Sequence, residues 1–295
     1  MKRLLAAAFA VTLLSACAAI AAPGAAKSQT PQQGLAASGK AMGALQSARF
    51  DANGTINVTL PQALVDQLKA KGGAQAGLIS TNMTVTLKVN GAAQRPDRLQ
   101  ATVSAKLGAL TLNTEVIAAG GSLYYKDPMT SKWQVVKRPA TAEAKSSPDK
   151  RSYQTILDTA KSVTEVTDTN TSLNGVTVEH YRVVPDLVKL FTALSAGPAI
   201  NSPAMTALQA ILQNATISAD VWNGSSDHLV RRLSYDADVT ADLSQLAGAI
   251  SDKASTKAPA FSLPAGSVAH LTAHVVVDLR DFNTQLKIQA PTVTP

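Results

Sequence analysis

Apolar and polar residues alternate with a period of two through most of the chain after residue 50. From Phe50 to Leu60, for example, every second residue is apolar or glycine, and Asp, Asn and Thr stand between them. Such alternation predicts strands that bury one face and leave the other in water. The pattern predicts strands over residues 50–60, 83–89, 99–105, 110–116, 124–125, 133–136, 163–169, 176–184, 215–222, 228–239 and 270–288.

Tight-turn signals separate several of these strands. Asn90-Gly91, Asn174-Gly175 and Asn223-Gly224 are dipeptides typical of two-residue hairpin turns, and Gly120-Gly121 serves the same purpose. Hairpin turns of this kind join antiparallel neighbours. The sequence therefore predicts a largely antiparallel sheet.

Helical spacing interrupts the strand pattern in a few places. The spacing predicts helices over residues 35–48, 63–71, 153–160, 185–194 and 204–212, and a helical turn with a loop in 242–264. Since each strand has one apolar face, the helices must cover it. We expect an α+β fold in one domain, residues 35–295: a strongly curved antiparallel sheet, a half-barrel, with helices over its concave apolar face.

The N-terminus carries an export signal. Lys2 and Arg3 precede an apolar run over residues 4–14, and small residues lead to Cys17, the single cysteine. This order is typical of a secretory signal peptide, and the run is shorter than the ~20 residues of a membrane-spanning helix. An ordinary secreted protein cleaved after Ala22 is the alternative.

Leu14-Ser15-Ala16-Cys17 resembles the lipobox of bacterial lipoproteins. The resemblance implies cleavage before Cys17 and a lipid on its sulfur. Residues 1–16 would then be the signal peptide, and 17–34, rich in Ala, Gly, Gln and Pro, a flexible tether. We expect a lipid-anchored protein on the extracytoplasmic face of the cell membrane, and a monomer.

Composition narrows the classes of partner. The formal net charge is +7, but the basic residues are scattered, and aromatic residues make up 4 % of the chain. Nucleic-acid binding needs a basic stripe with stacking aromatics, so we expect none. A mildly basic protein beside a membrane suits anionic lipid heads, although a solvated surface explains the charge equally well.

No catalytic or cofactor motif is present. The chain lacks the Gly-x-Ser-x-Gly elbow and the common phosphate-binding loops, so we expect no enzyme and no cofactor. His270 and His274 would lie ~13 Å apart on a strand, too far for one metal ion. Three carboxylates, Asp236, Asp238 and Asp242, lack the glycine and glutamate of a calcium loop, so we expect solvated turn residues and no metal.

Four stretches, in order, resemble the LppX/LprA/LprF/LprG lipoproteins of actinobacteria, whose fold is that of the LolA/LolB carriers. The likeness covers most of residues 35–292. The stretches are residues 123–133 with Tyr124-Tyr125 and Trp133, residues 175–181, residues 221–232 with Trp222 and Arg231-Arg232, and residues 278–291. The helical pieces near residues 63–73 and 185–212 depart from the family pattern.

The resemblance implies a large apolar cavity and transport of an acylated lipid or glycolipid across the cell envelope. A chaperone or sensor for acylated protein, and a structural surface lipoprotein with a filled core, remain alternatives. The helix near residue 190 could be a lid or plain core. We expect the following residues to line the cavity: Ile56, Val58, Val85, Leu87, Val103, Leu110, Leu112, Val116, Leu187, Leu190, Phe191 and Leu194.

Overall fold

The computed structural model describes residues 29–71, 77, 79–137, 157–167, 172–194, 203–244 and 263–293. These residues form one antiparallel sheet of twelve strands in the order β6-β5-β4-β3-β2-β1-β12-β11-β10-β9-β7, with β8 paired to β9. The strands are β1 Ser47–Thr59, β2 Asn82–Gln94, β3 Arg98–Leu107, β4 Leu110–Ala119, β5 Ser122–Lys126, β6 Trp133–Lys137, β7 Ala160–Glu165, β8 Ser172–Leu173, β9 Val176–Pro185, β10 Thr216–Gly224, β11 Val230–Asp242 and β12 Val268–Arg280.

Four helices accompany the sheet: α1 Pro31–Ala44, α2 Gln62–Lys71, α3 Leu187–Leu194 and α4 Pro203–Asn214. Every strand pair is antiparallel, and the sheet is curved and unclosed, since β6 and β7 do not meet. The predicted α+β half-barrel is confirmed. The period of two in the sequence has its physical cause here, because successive side chains point to opposite faces of a pleated sheet.

We call the end of the sheet next to the junction of α1 and β1 the proximal end, and the opposite end the distal end. At the proximal end α1 joins β1, and the Gly120-Gly121 turn joins β4 to β5. At the distal end lie the β3–β4 turn and the tip of the β5–β6 hairpin, residues 127–132. Helices α2, α3 and α4 also connect strands at the distal end.

Helix α1 begins at Pro31, four residues earlier than predicted, and ends at Ala44. Its start is a capping box: the Thr30 side chain accepts from the Gln33 backbone N–H, and the Gln33 side chain accepts from the Thr30 N–H. Pro31 suits the first helical position, which needs no N–H donor. The low-complexity composition of this stretch hid that signal.

The Asn90-Gly91 pair is not a turn, contrary to the prediction. Both residues lie inside β2, which runs on to Gln94. Gly91 is needed because a β-carbon there would collide with the Phe50 ring and approach the Gln100 carbonyl oxygen to 2.7 Å. The Asn90 side chain donates a hydrogen bond to Asp51 on the neighbouring strand. The pair therefore serves packing between strands.

The Asn223-Gly224 pair is also not the predicted turn, because both residues belong to β10. The turn occupies residues 225–229 and is closed by the Gly224 N–H, which donates to the Leu229 carbonyl at 2.9 Å. Asn223 is fully buried and pairs with Val230 beside a β-bulge. Gly224 is the last residue of β10, so the turn begins directly after the pair.

The last strand ends at Arg280, eight residues before the predicted end at Ile288. Asp281 and Asn283 adopt positive φ angles of 54° and 57°, which break the strand. The chain then crosses the polar face, where Leu286 and Ile288 pack on Ile117 and its neighbours Ala92 and Ala119. This strap is held by a hydrogen bond from Arg98 Nη1 to the Ile288 carbonyl at 2.9 Å.

Several predictions fall outside the described residues. These are the signal peptide over residues 1–16, the lipid attachment at Cys17, most of the tether, most of the helix predicted over 153–160, and most of the segment 242–264.

Candidate functional site

One face of the sheet is apolar across its central strands. The registers place Tyr181, Val221, Leu233, Val277, Ala52, Val89 and Val103 in one continuous row across seven strands. Each strand continues this row at every second residue. The other face carries Asp, Asn, Thr, Lys and Arg at the alternate positions.

The proximal part of the apolar face is filled. Leu35, Met42 and Leu45, from α1 and its C-cap, pack on buried residues of β7, β9, β10 and β11. Next to this cluster, Phe50 and Ala52 of β1 are buried together with Val89, Ala101 and Val277. This part of the face is ordinary protein core.

The distal part of the apolar face on β1–β4 is only half covered. The eight strand residues predicted to line a cavity all lie on this face, because Ile56 is paired with Val85 and Leu87 is in one row with Leu112. Leu112 is 38 % exposed, and the other seven are half-buried. The eight are Ile56, Val58, Val85, Leu87, Val103, Leu110, Leu112 and Val116.

The predicted helix residues lie apart from this strand surface. Leu187, Leu190 and Phe191 of α3 are half-buried, and the side chain of Leu194 lies outside the described residues. Helix α3 contacts α4, and α4 lies against β11. In the part of the chain that the structure describes, these helices lie beside the β9–β11 half of the distal end.

Strands β10–β12 add further residues to the apolar face that the predicted set omitted. Val275 and Ala273 of β12 stand opposite Gly54 and Ile56 of β1, and Leu271 stands opposite Val58. All three are half-buried. Their alternation is visible in the sequence, but only the pairing of β1 with β12, more than 200 residues apart, places them beside β1.

The polar face is held by charged pairs between neighbouring strands. Asp220 of β10 is buried and lies 2.8 Å from His180 Nε2, while Arg182 contacts both of its carboxylate oxygens at 3.0 and 3.1 Å. These hydrogen bonds and the charge of Asp220 raise the pKa of Arg182. The His180 ring stacks on Trp222 with centroids 4.1 Å apart. Trp222 therefore packs within the fold.

The other tryptophan also has a packing role. Trp133 of β6 packs beside the cluster formed by Leu286 and Ile288, and Lys126 Nζ lies 5.9 Å from its ring centroid. Lys126 also forms an ion pair with Glu115 at 2.7 Å. A recess lined by Thr102, Asn113 and Glu115 opens next to this pair on the polar face.

The predicted turn carboxylates Asp236 and Asp238 lie instead within β11. Asp236 is paired with His274 at 2.7 Å and Asp238 with His270 at 2.8 Å, and all four side chains are about half exposed. Asp242 accepts hydrogen bonds from Ser244. Over the described ranges, no three His, Cys, Asp or Glu side chains are grouped so as to hold a metal ion.

Tyr181 lies at the proximal end of the apolar face. Its hydroxyl donates to Glu179 Oε2 at 2.8 Å. Burial raises the pKa of Tyr181 above its ordinary value, and the hydrogen bond to Glu179 and the charge of Glu179 raise it further.

The described helices include none that is long and apolar enough to cross a membrane.

Similarity to known proteins is found among solved structures, and it is low. No family model matches the chain, and no curated protein matches its sequence. The enduracididine biosynthesis enzyme MppR with bound HEPES is similar only at a TM-score of 0.14 and 8 % identity, over 90 % of this chain and 97 % of that one.

A solved structure of LprF from Mycobacterium bovis is similar to this chain at a TM-score of 0.44 and 14 % identity, over 88 % of this chain and 96 % of that one. Values of this size carry no conclusion about function, which must come from the residues themselves.

Proposed function

We propose that the protein binds the acyl chains of a lipid or glycolipid on the distal part of its apolar face and carries that lipid in the cell envelope. The observation that supports this most directly is the half-buried surface of Val, Leu and Ile on β1–β4, which reaches 38 % exposure at Leu112. An apolar face that is partly open to solvent is a candidate binding surface for an apolar partner.

The composition of this surface suits hydrocarbon. Strands β1–β4 contribute small and branched side chains at this end, and tyrosine rings stand only at its borders, where Tyr125 is paired with Val116 and Tyr235 with Val275. Covering 100 Å² of apolar surface contributes about 2.5 kcal/mol at about 25 cal/mol per Å². A lipid that leaves a bilayer for this face exchanges one apolar environment for another, so transfer would be nearly neutral and reversible. No bond is made or broken, and the protein is not an enzyme.

The anchor of the proposed carrier is a lipid on Cys17. It would hold the domain on the extracytoplasmic face of the membrane through the tether that ends at Thr30, where α1 begins. Two or three acyl chains hold firmly because each buried methylene contributes about 0.8 kcal/mol.

The test is native mass spectrometry with lipid extraction. The chain from residue 17 onward, with Cys17→Ser, retains every described residue and is expressed in a bacterial cytoplasm. We expect close to one acyl lipid per chain. A clean mass without ligand, unchanged after incubation with host lipid extract, would contradict the proposal and favour a filled-core structural lipoprotein.

A matched pair of variants localises the site. Val85 and Thr86 are neighbours on β2 but point to opposite faces, since Val85 is paired with Ile56 and Thr86 with Thr55. Val85→Asn should lower lipid occupancy because an amide would face the acyl chains, whereas Thr86→Asn should retain it. Displacement of the bound lipid by an acylated peptide in preference to free lipid would instead favour the chaperone.

A further inference from the structure

Three exposed apolar side chains share the distal end of the sheet. Met129 at the tip of the β5–β6 hairpin is 84 % exposed, Leu112 on β4 is 38 % exposed, and Val268 at the start of β12 is 46 % exposed. Val135 and Val136 of edge strand β6 are also exposed, but they stand level with Ile117 and Ala118, toward the proximal end, and do not belong to this group. Large exposed hydrophobic residues gathered at one end of a molecule mark a surface that meets an apolar partner.

The hairpin tip is built to hold Met129 outward. Asp127 Oδ1 accepts hydrogen bonds from the backbone N–H groups of Met129 at 2.8 Å and Thr130 at 3.0 Å. The Ser131 N–H donates to the Asp127 carbonyl, and the Asp127 N–H donates to the Lys132 carbonyl. The turn is therefore closed by its own bonds, and the Met129 side chain takes no part in the core.

Cations flank the exposed apolar residues. Lys132 follows the tip, and Lys106 stands at the end of β3 beside the β3–β4 turn. Both side chains are exposed, and neither forms an ion pair with another described residue. Lys69 of α2 is exposed at the same end. A polar rim of lysines around apolar side chains matches an anionic lipid surface, where the apolar groups enter between head groups and the ammonium groups meet phosphates.

The distal end is also where the apolar face is left half covered. Leu112 belongs to the apolar face, where it lies in one row with Leu87 and Ala105, and also to the exposed apolar group at the distal end. The ladder between β4 and β5 pairs residues 116–119 of β4, and the end of β5 reaches Thr114, whose hydroxyl donates to the Lys126 carbonyl at 2.6 Å. Contact of this end with a bilayer would place the uncovered part of the face next to lipid.

We propose that the distal end, through Met129 and Leu112 with Lys106 and Lys132, docks on an anionic bilayer surface and presents the apolar face to its lipids, a role that rests on the proposed lipid-binding function. A second anchoring point adds to the lipid on Cys17 and sets the orientation of the domain.

The experiment places a fluorophore at each end of the sheet. The chain from residue 17 onward with Cys17→Ser has no cysteine, so Met129→Cys and, separately, Ser226→Cys in the proximal 225–229 turn each give one site for an environment-sensitive dye. Vesicles contain about seven parts phosphatidylcholine to three parts phosphatidylglycerol. We expect the dye at residue 129 to shift to the blue and to be quenched by lipids spin-labelled in the upper acyl chain, with no change at residue 226.

Co-sedimentation with the same vesicles tests the side chain itself. Met129→Glu should weaken binding about tenfold, because it removes an apolar group that enters the interface and adds a charge repelled by the lipids. Ser226→Glu adds the same charge at the other end and should bind as the parent chain does.

Equal dye responses at residues 129 and 226, or none at 129, would overturn the proposal, as would unchanged sedimentation of Met129→Glu. Self-association through this end without vesicle binding would overturn it in favour of a second copy of the chain. Native mass spectrometry of the same preparations separates the two proposals. Chains that carry lipid but do not bind vesicles would contradict only the docking proposal. Chains that bind vesicles but carry no lipid would contradict only the carrier function.

Discussion

Gly34 of α1 lies directly over the ring of Tyr181 on β9. A β-carbon placed on Gly34 would come within 2.7 Å of Tyr181 Cζ and closer still to the hydroxyl oxygen. Both residues are buried at the proximal end, where α1 packs on the apolar face. The absence of a side chain on Gly34 therefore sets how closely α1 approaches the sheet.

Gly34→Ala should lower the free energy of unfolding by about 1–2 kcal/mol. Overpacking a tight contact costs about 1–3 kcal/mol, and the higher helix propensity of alanine, worth up to about 1 kcal/mol, offsets only part of it. Urea unfolding followed by circular dichroism measures the difference. In a Tyr181→Phe background, which lacks the nearest oxygen, Gly34→Ala should cost less; an equal cost in both backgrounds would show that the contact is not the cause.

The pH dependence of stability should report Tyr181. Burial and Glu179 raise the pKa of Tyr181 above its ordinary 10.0, so the unfolded chain releases the proton first. The contribution is complete below about pH 10 and is lost as the pH rises above that value. The free energy of unfolding should therefore fall more steeply between about pH 10 and pH 12 in the parent chain than in Tyr181→Phe. Parallel curves would contradict the assignment.

The charged pair at Asp220 should stabilise the sheet far more than a similar pair on the surface. Asp220→Ala leaves the buried His180 and half-exposed Arg182 without their carboxylate. We expect a loss of about 2–3 kcal/mol, below the about 3–5 kcal/mol typical of a buried pair, since Arg182 can turn to water. Thermal and urea unfolding measure it.

The control is Asp236→Ala, which removes the partner of His274 on the same face. Asp236 and His274 are 53 % and 58 % exposed, so this loss should stay below about 1 kcal/mol. Similar losses for Asp220→Ala and Asp236→Ala would show that burial does not decide the strength of these pairs.

The C-terminal strap should be part of the folded core. Ile288 is 2 % exposed, and Ile288→Ala should cost about 2–5 kcal/mol because a buried side chain is removed from a packed cluster. Lys287 is exposed next to it, and Lys287→Ala should change stability by less than about 0.5 kcal/mol. Urea unfolding of the two variants tests this; a loss below 1 kcal/mol for Ile288→Ala would argue that the strap is not held on the sheet.

The strand pattern was predictable because it is local. A residue and its second neighbour share a face in any strand, so the alternation in Ile56 and Val58 is readable without knowing the partners. Turn signals were less reliable. Asn174-Gly175 forms the predicted turn. Asn90-Gly91 instead lies within β2, where Gly91 leaves room for the Phe50 ring.

The sequence by itself determined the class of fold, the sheet faces and the apolar residues of the candidate site. Only the tertiary structure decided which of those residues are covered. Val89 and Val85 belong to one strand and one face, yet Val89 is buried and Val85 is only half-buried. The difference arises because α1 and the Phe50 cluster fill the proximal end. Coverage depends on contacts between segments distant in the chain, which no local pattern encodes.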